Sequence, residues 1–435
     1  MKRIFERYSD MAAIACTIFQ RYKLMKAKRN FALLCCTGFL IIACNTTEEK
    51  NTEKKDSIPV SHTYGFDKNF LKENIIGAFE LVSEDSTAKV LLSADYQGRV
   101  ITSTAAGDTG ISFGWLNYSL IGGAEKKKQF NPFGGEERLW LGPEGGQYSL
   151  FFKGKDSFKI ENWQVPAVID TVTFALDEFS RSSATFTKKT QLTNYSGTVF
   201  NINIERTINL LNKDDISNKL QTTVPEDIKL VGYETINKLT NTGTGDWTKD
   251  KGLLSIWLLG MFTPSSKTVV IIPFTPVANA RSYITDNYFG TIPAERLQVK
   301  DSVLYFTCDG KYRSKIGLSP AIAKPVAAGF DFEKNVLTVV IPQVYKDAPY
   351  VNSKWELQKE PYKGDVINSY NDGPLDDGTQ MGPFFEIESS SPALELKKGK
   401  TGEYKQTTCH FTGSYYSLKQ LAQQLLGVNL DEIKQ

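Results

Sequence analysis

Residues 199–210 alternate with a period of two. Phe200, Ile202, Ile204, Ile208 and Leu210 fall on one side of an extended chain, and Asn201, Asn203 and Glu205 on the other. This predicts a half-buried antiparallel strand. Residues 269–272 and 337–341 are continuous apolar runs that end near Pro273 and Pro342, which predicts strands buried on both faces. Earlier, residues 89–93 and 100–104 flank Tyr96-Gln97-Gly98-Arg99, two strands around a Gly-containing turn. Helical periodicity is nearly absent until the C-terminus. There Leu418, Leu421, Ala422, Leu425 and Leu426 recur at helical spacing, with Ser417 as a cap and Gly427 as a stop. From about residue 65 to 414, strands and polar loops follow one another without a break in composition or an internal repeat. The expected fold is all-β: one large antiparallel β-supersandwich over residues 65–435, with a short C-terminal helix.

The first 64 residues read differently. Lys26, Lys28 and Arg29 precede a twelve-residue apolar run, Phe31 to Ile42, which has the form of a secretory signal and is too short to span a membrane. The run leads into Ile41-Ile42-Ala43-Cys44, which resembles the lipobox of bacterial lipoproteins. That resemblance implies acylation of Cys44 and residence in the cell envelope with membrane attachment through the lipid; residues 1–24 read poorly as a signal, so Met25 is the expected start. Asn45, in place of an aspartate, implies the outer membrane. Residues 1–43 are therefore expected to be a leader. Residues 44–64 lack large apolar side chains over most of their length and read as a flexible tether.

Removing the leader changes the charge. The whole chain is +2, but without residues 1–43 it has 43 basic and 47 acidic residues, a net of −4. That balance argues against nucleic acid as a partner. Only Cys308 and Cys409 lie beyond Cys44, with no CxxC pair and no Cys/His cluster, so neither a metal nor another cofactor is expected. A Cys308–Cys409 disulfide is open to an exported chain.

Two stretches carry candidate chemistry. Residues 130–152 bracket Leu139-Trp140-Leu141 with glycines and prolines and set Arg138 and Glu144 close to Trp140. An aromatic face beside two opposite charges suits the apolar face and the hydroxyls of a sugar; the same residues also suit a plain hairpin with an internal ion pair. In the second stretch, residues 383–389, Phe384, Glu386 and Glu388 share one strand face while Phe385 and Ile387 share the other. Two neighbouring carboxylates repel, which raises the pKa of one and suits it to acid–base work near neutrality. An ordinary acidic edge facing solvent gives the same pattern. The loop 371–378 is acidic but lacks EF-hand spacing. The loop 241–247 reads as a hairpin that places Trp247 near a groove.

The order of several segments resembles the galactose mutarotase-like superfamily. These are Gly98-Arg99, the run Gly134-Gly135-Glu136-Glu137-Arg138-Leu139-Trp140-Leu141-Gly142-Pro143-Glu144, residues 237–241 before Trp247, Gly317-Leu318-Ser319 after Arg313 and Lys315, and Phe385-Glu386-Ile387-Glu388 leading to Leu394–Gly399. The resemblance implies a sugar or glycan as ligand and a late glutamate, Glu386 or Glu388, as the base of an aldose 1-epimerase. It also implies mid-chain histidines, and these are missing: His62 and His410 are the only two. His410 is the remaining acid candidate, and a strand histidine is more often structural. Arg138, Arg313 or Lys315 can stabilise an oxyanion but give up a proton less readily. Trp140, Glu144 and Trp247 complete the expected binding set. A non-catalytic glycan-binding or structural envelope lipoprotein is the alternative.

Overall fold

The computed structural model describes residues 63–433 except 76 and 124. The leader, Cys44 and all but the last two residues of the 44–64 tether lie outside the described residues.

In chain order the strands are β1 (Ala78–Val82), β2 (Lys89–Ser93), β3 (Arg99–Thr104), β4 (Arg138–Gly142), β5 (Ala175–Phe179) and β6 (Ser183–Thr193). Next come β7 (Val199–Leu210), β8 (Lys229–Asn241), β9 (Ser255–Phe262), β10 (Thr268–Pro273), β11 (Ile284–Thr285), β12 (Leu297–Lys300) and β13 (Val303–Thr307). The last are β14 (Ser314–Leu318), β15 (Ala327–Asp331), β16 (Val336–Pro342), β17 (Ile367–Asn371), β18 (Phe385–Ser390) and β19 (Thr401–Thr412). Among the described residues the α-helices are α1 (Tyr64–Asn74), α2 (Tyr118–Ile121), α3 (Lys213–Leu220) and α4 (Tyr415–Leu426).

The strands form three antiparallel sheets. The largest runs β12-β13-β10-β15-β16-β19-β8-β7-β6-β5, the second β11-β14-β17-β18-β9-β4, and the third β1-β2-β3. The two large sheets bury their facing sides against each other. Phe385, Ile387, Ile316, Leu318 and Ile367 of the six-stranded sheet meet Val270, Ile272, Phe306, Ala327 and Val340 of the ten-stranded one. The far side of β10, β15 and β16 is covered by α4, through Leu418, Leu421, Ala422 and Leu426. β10 is therefore buried along its whole length and β16 nearly so, as continuous apolar runs require.

β7 shows the alternation the sequence predicts, with one buried residue in every two. The interruption in its apolar stripe is Arg206, which is fully buried and ion-paired to Glu137 at 2.9 Å. Two expectations need correction, and one question that the sequence left open is answered. Helix α4 begins at Tyr415, capped by Ser414, whose Oγ accepts the Ser417 N–H; Ser417 lies inside the helix. Helices α1 and α3 occur where no helical period stood out. Cys308 and Cys409 are free thiols buried in different apolar clusters, so they form no disulfide.

Candidate functional site

The six-stranded sheet turns one side to the core. On the other side the rows of the sheet juxtapose chemistry from five strands. Glu386 of β18 stands between Met261 of β9 and Tyr370 of β17, and Tyr370 is in turn opposite Lys315 of β14. One row away, Glu388 stands between Leu259 and Asn368, and Leu259 is also opposite Arg138 of β4. Each of the two pairs crosses one intervening strand, roughly 10 Å of sheet, which a long Arg or Lys side chain and a glutamate span together. Arg138 thus extends one row and pairs with Glu386 through Nη2. Lys315 extends one row the other way and places Nζ 2.9 Å from Glu388 Oε2. The Trp257 indole donates to that same oxygen at 3.0 Å.

The segment before β4 makes this possible. Gly134 and Gly135 have φ of +95° and +115°, and a Cβ at Gly134 would sit 2.0 Å from the Trp115 carbonyl. Only glycine tolerates both the angle and the approach. The three charged residues that follow then diverge. Glu136 accepts from Ser103 Oγ at 2.9 Å, Glu137 accepts from Gln406 at 2.7 Å, and Arg138 reaches Glu386.

Both carboxylates are withdrawn from water: Glu386 is 6% exposed and Glu388 fully buried, with Arg138 at 3%. Burial is the main force on Glu386. It pushes the carboxyl up to about 7, with Arg138 opposing and Glu388 adding to the rise. Burial works against the Lys315 charge, but Glu388 and Glu144 outweigh it and hold the ammonium above its usual range. Glu144 follows β4 on the loop 143–146. Its carboxyl is also raised to about 7, chiefly by burial, with Lys315 opposing and Glu388 adding.

Several buried polar atoms here have no partner among the described residues: Arg138 Nε and Nη1, Glu388 Oε1, and the indole nitrogen of Trp140. Rings surround them. The Arg138 guanidinium lies 4.7 Å from the Trp140 ring, Trp140 meets Trp257 edge-on, and Lys315 Nζ lies 5.0 Å from the Trp257 ring.

The structure therefore gathers Arg138, Trp140, Glu144, Lys315, Glu386 and Glu388. Arg313 lies further along the same face, with Nε 3.2 Å from the Tyr370 hydroxyl. β18 is an interior strand, so its glutamates are not a solvated edge. Trp140 is enclosed by Arg138 and by Phe130, Phe151, Trp163 and Trp257, so it is a packed ring and not an open platform.

Two candidates are placed elsewhere. Trp247 is buried edge-on against Phe200 of β7. His410 lies on β19 in the ten-stranded sheet, stacked on Phe113 at 4.3 Å. Its Nδ1 faces Thr338 Oγ1 at 2.9 Å and its Nε2 faces Glu136 Oε2 at 3.0 Å, so both ring nitrogens are already engaged.

Sequence reasoning missed Trp257 and Tyr370. Trp257 sits within an apolar run that reads as core, and the strand carrying Tyr370 is hidden beside the acidic loop 371–378. That loop uses Asp372 internally, as acceptor from the Tyr370 hydroxyl at 2.6 Å and the Gly382 N–H at 3.0 Å. Among the described residues no group of three or more His, Cys, Asp or Glu is placed to hold a metal ion.

The fold and this face define an all-β sandwich with two buried, crossed ion pairs on one sheet. The chain belongs to a family of unknown function, DUF6786, whose model matches residues 62–435. No curated protein matches it. Among solved structures it is similar to a galactose mutarotase related enzyme from Lactobacillus acidophilus, at 10% identity and a TM-score of 0.43 over 78% of this chain and 98% of the other. It is also similar to a galactose mutarotase-like protein from Lactobacillus casei, at 11% identity and a TM-score of 0.44 over 77% of this chain and 100% of the other.

Proposed function

We propose that this chain binds a carbohydrate on the Glu386–Glu388 face of the six-stranded sheet. The observation that supports this is the set of unpartnered polar atoms, Arg138 Nε and Nη1 and Glu388 Oε1, set among the Trp140 and Trp257 rings. Unpartnered donors and an acceptor on one face are what a sugar's hydroxyls require. A cavity of about 490 Å3 lies elsewhere, lined by Phe151, Phe152, Val165, Leu192 and Tyr195. It lacks paired carboxylates, and the buried unpaired atoms make the stronger case for the sheet face. The test is saturation-transfer NMR of the full chain against hexoses, pentoses and uronic acids. Signal from at least one sugar, weakened by Glu388→Gln, is expected. Silence across the panel overturns the proposal.

A second reading is an aldose 1-epimerase-type reaction, favoured by the Glu386 carboxyl raised to about 7. Glu386 takes the anomeric hydroxyl proton as the bond from C1 to the ring oxygen breaks, which leaves a C1 aldehyde and a ring-oxygen alkoxide; C1 turns about the C1–C2 bond, the alkoxide attacks its other face, and the new anomeric oxyanion takes the proton back from Glu386. Arg138, beside Glu386, stabilises the negative charge that develops. Anomer interconversion followed by NMR, accelerated by the chain and lost in Glu386→Gln, is the expected result. Binding without acceleration leaves a glycan-binding protein.

The same proposal places the protein in the cell envelope, tethered to the outer membrane by acyl chains on Cys44. Radiolabelled palmitate incorporated into the chain, and absent from Cys44→Ser, is the expected outcome. Two or more chains make such attachment lasting.

A further inference from the structure

Arg313 is the unusual cation of this face. Arg138 and Lys315 each hold a carboxylate, and Arg296 holds Asp309. Arg313, half-buried just before β14, has no carboxylate within ion-pairing distance among the described residues. Its guanidinium lies 3.8 Å from the centre of the Phe289 ring, and only Nε is used, toward the Tyr370 hydroxyl. That hydroxyl donates to Asp372, which fixes the tyrosine, and Phe289 stands edge-on to Tyr370. The fork is thus held over a ring by two aromatic residues, and among the described residues both terminal nitrogens are unclaimed. Phe289 is 43% exposed, so this end of the face is open to solvent. Tyr370, which positions the fork, is directly opposite Glu386 in the sheet. Arg313 precedes β14, and only β17 separates β14 from the glutamates of β18, so a group docked on Arg313 shares one face of the sheet with the carboxylates, about two strand spacings away.

We propose that Arg313 receives the carboxylate of an acidic sugar, so that the ligand class is a uronic acid; this rests on the sugar-binding reading above. A planar guanidinium with two free parallel N–H groups matches a planar carboxylate in a bidentate pair. Glu386 and Glu388 are offset by Arg138 and Lys315, but Asp372 has no cation in ion-pairing distance among the described residues, and its charge beside the fork costs a phosphate, with nearly two charges, more than a carboxylate with one. Phe289 keeps the fork in place and shields it from water on one side.

The test measures dissociation constants for the full chain with D-galacturonate and D-glucuronate, against D-galactose, D-glucose, galacturonate methyl ester and glucose 6-phosphate. The uronate that binds best should exceed its neutral counterpart by at least about tenfold, the size of one charge-assisted pair. Arg313→Gln should abolish that preference, bringing the affinity for the uronate down to that for the neutral sugar. Arg313→Lys should retain part of it, since charge remains and the fork is lost. Phe289→Ala, at an exposed position, should reduce the preference without unfolding the chain and serves if Arg313→Gln is unstable. Equal binding of uronate and neutral sugar, or a preference that survives Arg313→Gln, overturns the inference but leaves sugar binding intact. Tighter binding of glucose 6-phosphate overturns the choice of carboxylate. No binding by any sugar overturns the underlying reading instead.

Discussion

Arg138 and Glu386 stand 248 residues apart in the chain and form a buried ion pair across the six-stranded sheet. The pair ties the strand that follows Gly134-Gly135 to the late glutamate strand, with β9 lying between them. It also belongs to a run in which three consecutive residues fasten different parts of the sandwich. Glu136 meets His410 of the ten-stranded sheet, Glu137 meets Arg206 of β7, and Arg138 meets Glu386. Alternation along an extended chain sends Glu137 to the opposite side from Arg138, so one short segment serves both the core and the candidate site.

Removing one member of a buried pair strands the other. Arg138→Met should cost about 3–5 kcal/mol, because it leaves the Glu386 carboxyl buried without its cation. The double variant Arg138→Met/Glu386→Gln should recover part of that loss. Urea unfolding of the wild type, the two single variants and the double variant measures the coupling between them. Additive losses would show that the two side chains do not interact.

His410 should behave as a structural residue. His410→Phe preserves a ring to stack on Phe113 but removes the partner of Thr338 Oγ1 and one of the two partners of Glu136 Oε2, which keeps Ser103 Oγ. A stranded buried hydroxyl costs about 1–3 kcal/mol, so the melting temperature should fall by a few degrees while sugar affinity stays as it was. Lost affinity with an unchanged melting temperature would return His410 to the site.

The all-β class, the buried runs of β10 and β16 and the shared face of Glu386 and Glu388 were legible because strand period is a local property. What pairs with those glutamates was not. Arg138 and Lys315 meet them only through the sheet order β14-β17-β18-β9-β4, which depends on pairings hundreds of residues apart. The sequence points to Ser417 as the cap, and only the fold selects Ser414. α1 was hidden because its inward face includes Asp67, a charged residue that reads as surface but is buried and hydrogen-bonded by the Tyr118 hydroxyl. Trp247 looked like a ligand platform because a glycine-rich loop precedes it, yet loop composition does not say which way a ring turns.

The two body cysteines should resist chemistry in the native state. Burial raises the Cys308 thiol far above its usual range and the Cys409 thiol to about 12. The thiolate is the reactive form. Iodoacetamide should therefore label neither peptide in the folded chain and both after denaturation, without a reductant. Labelling that requires reductant would reveal a disulfide.

Stability should fall as pH rises through neutrality. Burial, the largest cause in both cases, raises Glu386 and Glu144 from 4.5 to about 7, and it raises Asp67 to about 6. Between the unfolded and folded values the native state binds protons that the unfolded chain has released, so unfolding becomes easier with each step up in pH. The contribution is complete below about pH 4.5 and gone once pH passes the folded values near 7. Melting temperatures at pH 5, 6, 7 and 8 should therefore decline, with Asp67 acting at the lower end and the two glutamates above it. Glu144→Gln removes one of the titrating groups and should flatten the upper part of the curve. A melting temperature that climbs from pH 5 to pH 8 would mean that Lys315 and Arg138 outweigh burial and keep these carboxylates ionised.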